Sequence, residues 1–227
     1  MTDFPQVKAL AFDYYGTVAN KQGLGAIIDK HFPGKGEQFA KLWFATLQRY
    51  CFQNGMMERY LPWDELTRAA FKFTAGDLGL EADDKVRDEL IAADQSLPPY
   101  PEAKEGLTRL AEKLDLYVLS MGAPWMIEQS QKAAGIDHLF TAIHTTQDDQ
   151  VYKPGRRAYE LGVEKIGLER EQIGFVSGNS FDVIGSKNFG FPTFWIRRYG
   201  QPLDDFGLEP DLIVKDLNGL ADALVGK

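Results

Sequence analysis

Apolar residues along this chain follow two rhythms. Residues 7–12 form a short, nearly unbroken apolar run that stops at Asp13. That pattern predicts a buried strand, with Gly16-Thr17 as the turn after it. From about 18 to 97 the spacing becomes helical. Phe39, Leu42, Trp43 and Leu47 recur every three or four residues, as do Leu66, Ala70 and Phe73, then Val86, Leu90 and Ile91. Pro98-Pro99-Tyr100-Pro101 closes this stretch, because proline does not continue a helix and favours an extended linker.

Beyond the prolines the two rhythms alternate. Helices are predicted at 102–113, 124–134, 155–166 and 181–189, with Gly135 and Gly190 as left-handed stops. Between and after them lie short apolar strands at 116–119, 140–144, 173–176, 193–196 and 212–214, followed by a C-terminal helix. Alternation of this kind implies parallel strands with helices on both faces. The expected fold class is α/β: a Rossmann-like, doubly wound, mostly parallel sheet core with an inserted helical cap. The core takes residues 1–17 and 98–227, and the cap takes 18–97.

Composition changes this picture little. The 227 residues carry a formal charge of 25 − 33 = −8, which argues against nucleic acid and anionic membrane as partners. A small anionic substrate stays open, since a site can be locally positive on an acidic protein. Cys51 is the single cysteine, so no internal disulfide framework exists, and the residue reads as a small buried apolar group. Residues 1–7 show no basic-then-apolar leader pattern, and no apolar run reaches the roughly 20 residues of a membrane span. A cytoplasmic location is expected.

In doubly wound sheets, ligands bind beyond the carboxyl ends of the strands. That rule selects Asp13-Tyr14-Tyr15, Ser120-Met121-Gly122, the loop holding Lys153, and the segment from Ser177 to Asp182. Asp13 reads either as a nucleophile or as a turn-forming carboxylate. Lys153, fixed ahead of a proline, would keep a nearby carboxylate ionised, or else is solvated. Ser120 and Ser177 either hold an anion or cap their own loops. Asp182 is a site carboxylate or a helix-start charge. His31, His138 and His144 are not spaced as metal ligands. Trp43, Trp63, Trp125 and Trp195 read as packing residues, and Arg197-Arg198 as a solvated pair.

Together the four clusters resemble the haloacid dehalogenase superfamily. Phe12-Asp13-Tyr14-Tyr15-Gly16-Thr17 looks like its first motif, Ser120 its second, Lys153-Pro154 its third, and Ser177 to Asp182 its fourth. Phe32-Pro33-Gly34, Leu42-Trp43, Val151-Tyr152-Lys153-Pro154 and Phe189-Gly190-Phe191-Pro192-Thr193 narrow the resemblance to the L-2-haloacid dehalogenases. The resemblance implies that Asp13 attacks C2 of a small carboxylic acid, giving an ester that water then hydrolyses. It implies that Lys153, Ser177, Asn179 and Asp182 hold the nucleophile and the water, with Tyr159 supporting them. It places Thr17, Ser120, Phe181 and main-chain N–H groups at Tyr15 and Met121 around the substrate. Tyr15 and Gly178-Asn179 stand where magnesium-dependent phosphatases of the superfamily carry acids, so neither metal nor cofactor is expected. The resemblance also implies a homodimer.

Two positions depart from the pattern. The dehalogenases place an arginine after Leu-Trp and an asparagine after the second-motif serine, to cradle the departing halide. Here these are Phe44 and Met121. An apolar cradle stabilises an anion poorly, but tolerates a protonated amine through cation–π attraction of about 0.5–2 kcal/mol. The leading expectation is therefore ring opening of L-azetidine-2-carboxylate to 4-amino-2-hydroxybutyrate. The alternative is ordinary haloacid dehalogenation, with Arg49 or Arg59 supplying the missing charge. A phosphatase and a non-catalytic binding module are further alternatives.

Overall fold

A computed structural model of the chain describes residues 4–226, so part of the 1–7 stretch, where no leader pattern is expected, lies outside the described residues. The elements run, in chain order, β1 (Ala9–Phe12), α1 (Leu24–Asp29), α2 (Gly36–Met56), α3 (Trp63–Asp77), α4 (Asp84–Gln95), α5 (Ala103–Ala111) and β2 (Asp115–Ser120). They continue with α6 (Pro124–Ala134), β3 (Ala142–Thr145), α7 (Arg156–Ile166), β4 (Ile173–Ser177), α8 (Ser180–Phe189), β5 (Thr193–Ile196), β6 (Leu212–Val214) and α9 (Leu217–Val225). Two compact units result. One comprises Met1–Ala19 and Pro98–Lys227, the other Asn20–Leu97.

In the first unit the sheet order is β3-β2-β1-β4-β5-β6, and every pairing is parallel. This is the α/β architecture expected from the alternating pattern. The chain steps from β1 outward to β3, then returns to lay β4 on the other side of β1. The order therefore reverses between β1 and β4, where such sheets open a crevice at their carboxyl ends. Register fixes what lines that edge. Phe12 lies beside Val118 and Val176, so Asp13 and Ser177 each follow immediately after a matched pair.

Side chains alternate across the sheet. Ala11, Leu119 and Phe175 join a buried cluster with Tyr159, Phe189 and Phe191. The rings of Phe175 and Phe191 stack at 5.8 Å, and that of Tyr159 meets Phe175 edge-on at 5.6 Å. Helices α7 and α8 thus hold a rigid aromatic layer beneath the ends of β1 and β4. Gly106 lets α5 lie directly on α9, since a Cβ there would meet the Leu217 carbonyl carbon at 2.6 Å.

The second unit is all helical. Phe39 and Trp43 of α2 meet Phe71 of α3 at ring distances of 5.1 and 5.2 Å, and the Trp43 indole donates to the Thr67 carbonyl at 3.0 Å. The periodicity assigned Phe73 to this inner face, and that is corrected. Leu66, Thr67, Ala70, Phe71 and Thr74 are buried, whereas Phe73 is 38% exposed. Trp125 is a second correction. Met126, Ile127 and Ser130 form the inner side of α6, and Trp125 beside them is 50% exposed. Cys51 is buried, as its type suggested. Among the described residues no helix is long and apolar enough to cross a membrane.

Candidate active site

The crevice between β1 and β4 gathers residues from four distant segments. Asp13 is almost fully buried, and its backbone N–H donates to the Val176 carbonyl at 2.9 Å, which fixes its position at the strand end. One carboxylate oxygen, Oδ2, accepts from the Thr17 hydroxyl and from Asn179 Nδ2, each at 2.8 Å. The other, Oδ1, faces Lys153 Nζ at 3.3 Å. Thr17 is itself positioned, since its Oγ1 accepts from the Gly178 N–H at 2.8 Å. Asn179 also donates to the Tyr15 carbonyl at 2.9 Å. The first and fourth segments are thereby tied into one frame.

That frame needs two glycines. Gly16 has φ +86°, a left-handed value that side chains with a Cβ resist. Gly178 lies so close to the first turn that a Cβ there would stand 2.4 Å from the Gly16 carbonyl oxygen.

Lys153 is completely buried. A buried ammonium is costly unless it is paired, and here it also touches Asp182 Oδ2 at 2.8 Å. Its Nζ lies 4.8 Å from the Phe175 ring centroid, so an aromatic face completes its surroundings. Asp182, also fully buried, accepts at Oδ1 from the Tyr159 hydroxyl at 2.7 Å. Burial pushes its carboxyl up to about 6; the Lys153 ammonium pulls it down, the Asp13 charge pushes it up, and the Tyr159 hydrogen bond lowers it. Burial and the Asp182 charge likewise hold the Tyr159 hydroxyl well above its ordinary range.

The array is two carboxylates around one ammonium. Lys153 already pairs with both carboxylates, and among the described residues no group of three or more His, Cys, Asp or Glu gathers. The donor set does not fit a divalent cation.

The serines behave more locally. Ser120 Oγ accepts from the Gly122 N–H at 3.2 Å, and Ser177 Oγ from the Asn179 N–H at 3.1 Å. Each hydroxyl proton is left to donate elsewhere. Met121 is buried beside Ser120, and Phe181 is half-buried at the start of α8. Phe44 belongs to the helical unit, on α2, with Lys21 Nζ 3.2 Å from its ring centroid. The sequence reading missed the Gly178 N–H and Phe175. Only Phe175 had a signal: it lies two residues before Ser177, on the same face of the strand.

One expected result concerns pH. Below about 6, a proton on Asp182 breaks its pairing with Lys153, and turnover should fall on that acid limb. Stability should run the other way. Because the folded-state value is raised from 3.8 to about 6, this group makes the fold more stable as pH falls through that window. Rate profiles and urea titrations across it check both directions.

Comparison with known proteins agrees with this frame. The family model for haloacid dehalogenase-like hydrolases matches residues 7–190, and the chain belongs to that family of hydrolases. Within it, the chain falls in the L-2-haloacid dehalogenase-like subgroup. It is 36% identical over 217 residues to the (S)-2-haloacid dehalogenase of Pseudomonas sp. (strain YL), covering 95% of this chain and 94% of that one. It is 32% identical to haloacetate dehalogenase H-2 of Moraxella sp. (strain B), covering 95% and 96%. A structure of L-2-haloacid dehalogenase from Xanthobacter autotrophicus with chloropropionic acid covalently bound superposes with a TM-score of 0.89. Its identity is 31%, over 95% of this chain and 97% of that one.

Proposed function

We propose that this hydrolase acts on small 2-halo carboxylic acids, and that Asp13 is its nucleophile. The observation that carries the reading is the Asp13 environment. Oδ2 is held by two donors at 2.8 Å, while among the described residues Oδ1 has only the longer 3.3 Å contact to Lys153. The less engaged Oδ1 is the attacking oxygen. It forms a bond to C2 as the C2–halogen electron pair leaves with the halide. Oδ2 becomes the ester carbonyl oxygen, already facing Thr17 and Asn179. When water adds at that carbonyl, the same donors hold the developing oxyanion. Collapse releases the 2-hydroxy acid and one proton, and regenerates Asp13. Ser120 and the N–H groups at Tyr15 and Met121 bind the substrate carboxylate.

The leaving group separates this reading from the amine alternative. By resemblance Phe44 takes the cradle position, and an ammonium from half-buried Lys21 lies against its ring. A cation at that position favours a departing anion and opposes a departing ammonium. Arg49 and Arg59 are both exposed, and Arg49 stacks 4.6 Å from the Phe73 ring centroid on the outer side. Lys21 is therefore the better substitute for the missing arginine, and L-2-haloacids displace L-azetidine-2-carboxylate as the preferred substrate class. Buried, apolar Met121 still favours ring opening of azetidine-2-carboxylate as the second reading.

A paired assay with a chelator present tests this, one arm with L-2-chloropropionate and one with L-azetidine-2-carboxylate. Chloride release is expected, and Lys21→Ala should slow it by about tenfold or more, the scale of a lost hydrogen bond to a charged group. Amine product without chloride would support the second reading. Silence in both arms sinks both.

A further inference from the structure

Arg198 lies two residues beyond β5, where the sequence suggested a solvated arginine pair. The structure corrects this. The side chain is only 7% exposed. Its Nε and Nη2 donate to Glu102 Oε1 at 3.2 and 2.7 Å, and the guanidinium carbon lies 3.7 Å from the Tyr100 ring centroid. Nη1 is buried with no hydrogen-bond partner among the described residues. A desolvated guanidinium with one orphan donor is an expensive feature, so its contacts should matter elsewhere.

Those contacts fall on the segment that returns to the core after the helical insertion. The Tyr100 N–H donates to the Val18 carbonyl at 2.9 Å, and Ala19 pairs antiparallel with Pro99. The outgoing segment is a tight turn. Val18 and Ala19 N–H groups both donate to the Tyr14 carbonyl at 2.9 Å, and Gly16 N–H donates to the Ala19 carbonyl at 2.9 Å. Thr17 sits inside that turn, with its hydroxyl on Asp13 Oδ2. A continuous path within one unit therefore runs from Arg198 through Tyr100 and Val18 to Thr17 and Asp13.

We propose that Arg198 is a positioning residue: it clamps Tyr100 and Glu102, and through Tyr100 holds the 14–19 turn so that Thr17 fixes the orientation of Asp13. The inference rests on the reading of Asp13 as nucleophile. A purely structural arginine would support the fold as a whole and leave the Thr17–Asp13 contact indifferent to its loss.

Arg198→Met keeps aliphatic packing on the tyrosine and removes the fork, and Tyr100→Leu breaks the clamp from the other side. Two measurements on the full chain decide the matter. The first is amide hydrogen exchange without substrate. The Tyr100 and Gly178 amides should exchange about tenfold faster or more, while β4 and β5 amides hold their rates, as local opening requires. A Gly178 amide at the wild-type rate, or a uniform acceleration everywhere, overturns the proposal.

The second is a double-mutant cycle in haloacid turnover. Arg198→Met should lower kcat about tenfold with KM nearly unchanged, and should lose most of that effect in a Thr17→Val background. An equal factor in both backgrounds overturns the coupling. If wild-type protein turns over no haloacid, the functional reading fails, and the exchange experiment still decides the clamp. If Arg198→Met does not fold, Tyr100→Leu carries the same two expectations.

Discussion

Asp13→Asn should abolish turnover and raise the melting temperature. Loss of a covalent nucleophile costs on the order of 10⁴-fold or more in rate. The stability gain follows from charge. Asp13 and Asp182 share one ammonium, at 3.3 and 2.8 Å, and the Asp13 charge is one of the causes that push Asp182 up. A neutral asparagine leaves a one-to-one Lys153–Asp182 pair. Its amide oxygen can keep the contacts with Thr17 and Asn179, while its Nδ2 then faces the Lys153 ammonium, donor against donor, which offsets part of the gain. Relief of about 1 kcal/mol would raise the midpoint by roughly 2–4 °C for a chain of this size. Unchanged turnover would remove the ester mechanism, and a lowered midpoint would show that Asp13 balances the site rather than strains it.

Lys153→Met should fail in the opposite manner, losing both activity and stability. Two carboxylates would remain buried with no cation between them. Breaking a buried pair by removing one partner costs about 3–5 kcal/mol. The loss has a pH signature. As pH falls, a proton on Asp182 relieves the uncompensated charge, so the deficit relative to the wild type should shrink in acid. Urea titrations at neutral pH and near pH 5 read this directly. A deficit independent of pH would mean that lost packing against Phe175, rather than lost charge, accounts for the cost.

The architecture was largely legible because each strand is a short apolar run that stops at a polar residue. Asp13, Ser120 and Ser177 were found that way, with no knowledge of strand order. Register could not be read. It is set by side chains meeting across the sheet, and it decides that Asp13 and Ser177 stand side by side. Buried charge was harder still. Nothing local marks Lys153 as fully enclosed, or Arg198 as stacked on a tyrosine 98 residues earlier. Lysine and arginine are exposed by default, and only a distant partner overrides that. Trp125 was read as packing by its type alone, and Phe73 failed for the converse reason. Periodicity defines a stripe to within a residue, and Phe71, two positions from Phe73, took the inward place.

The close approach of Gly178 to the first turn also bears on the evolutionary reach of this site. Converting it toward metal-dependent phosphoryl chemistry would require new carboxylates, and position 178 is one of the places where the superfamily supplies them. Any side chain there meets the Gly16 carbonyl oxygen at 2.4 Å, a wall of main chain rather than a movable side chain. A single change at 178 would disturb the turn that carries Thr17 before it gained a ligand. Backbone rearrangement at 16 would have to come first, in a lineage that gains nothing from it alone. On the proposed reading, descendants of this chain are therefore freer to exchange leaving groups by side-chain replacement than to exchange one class of reaction for another.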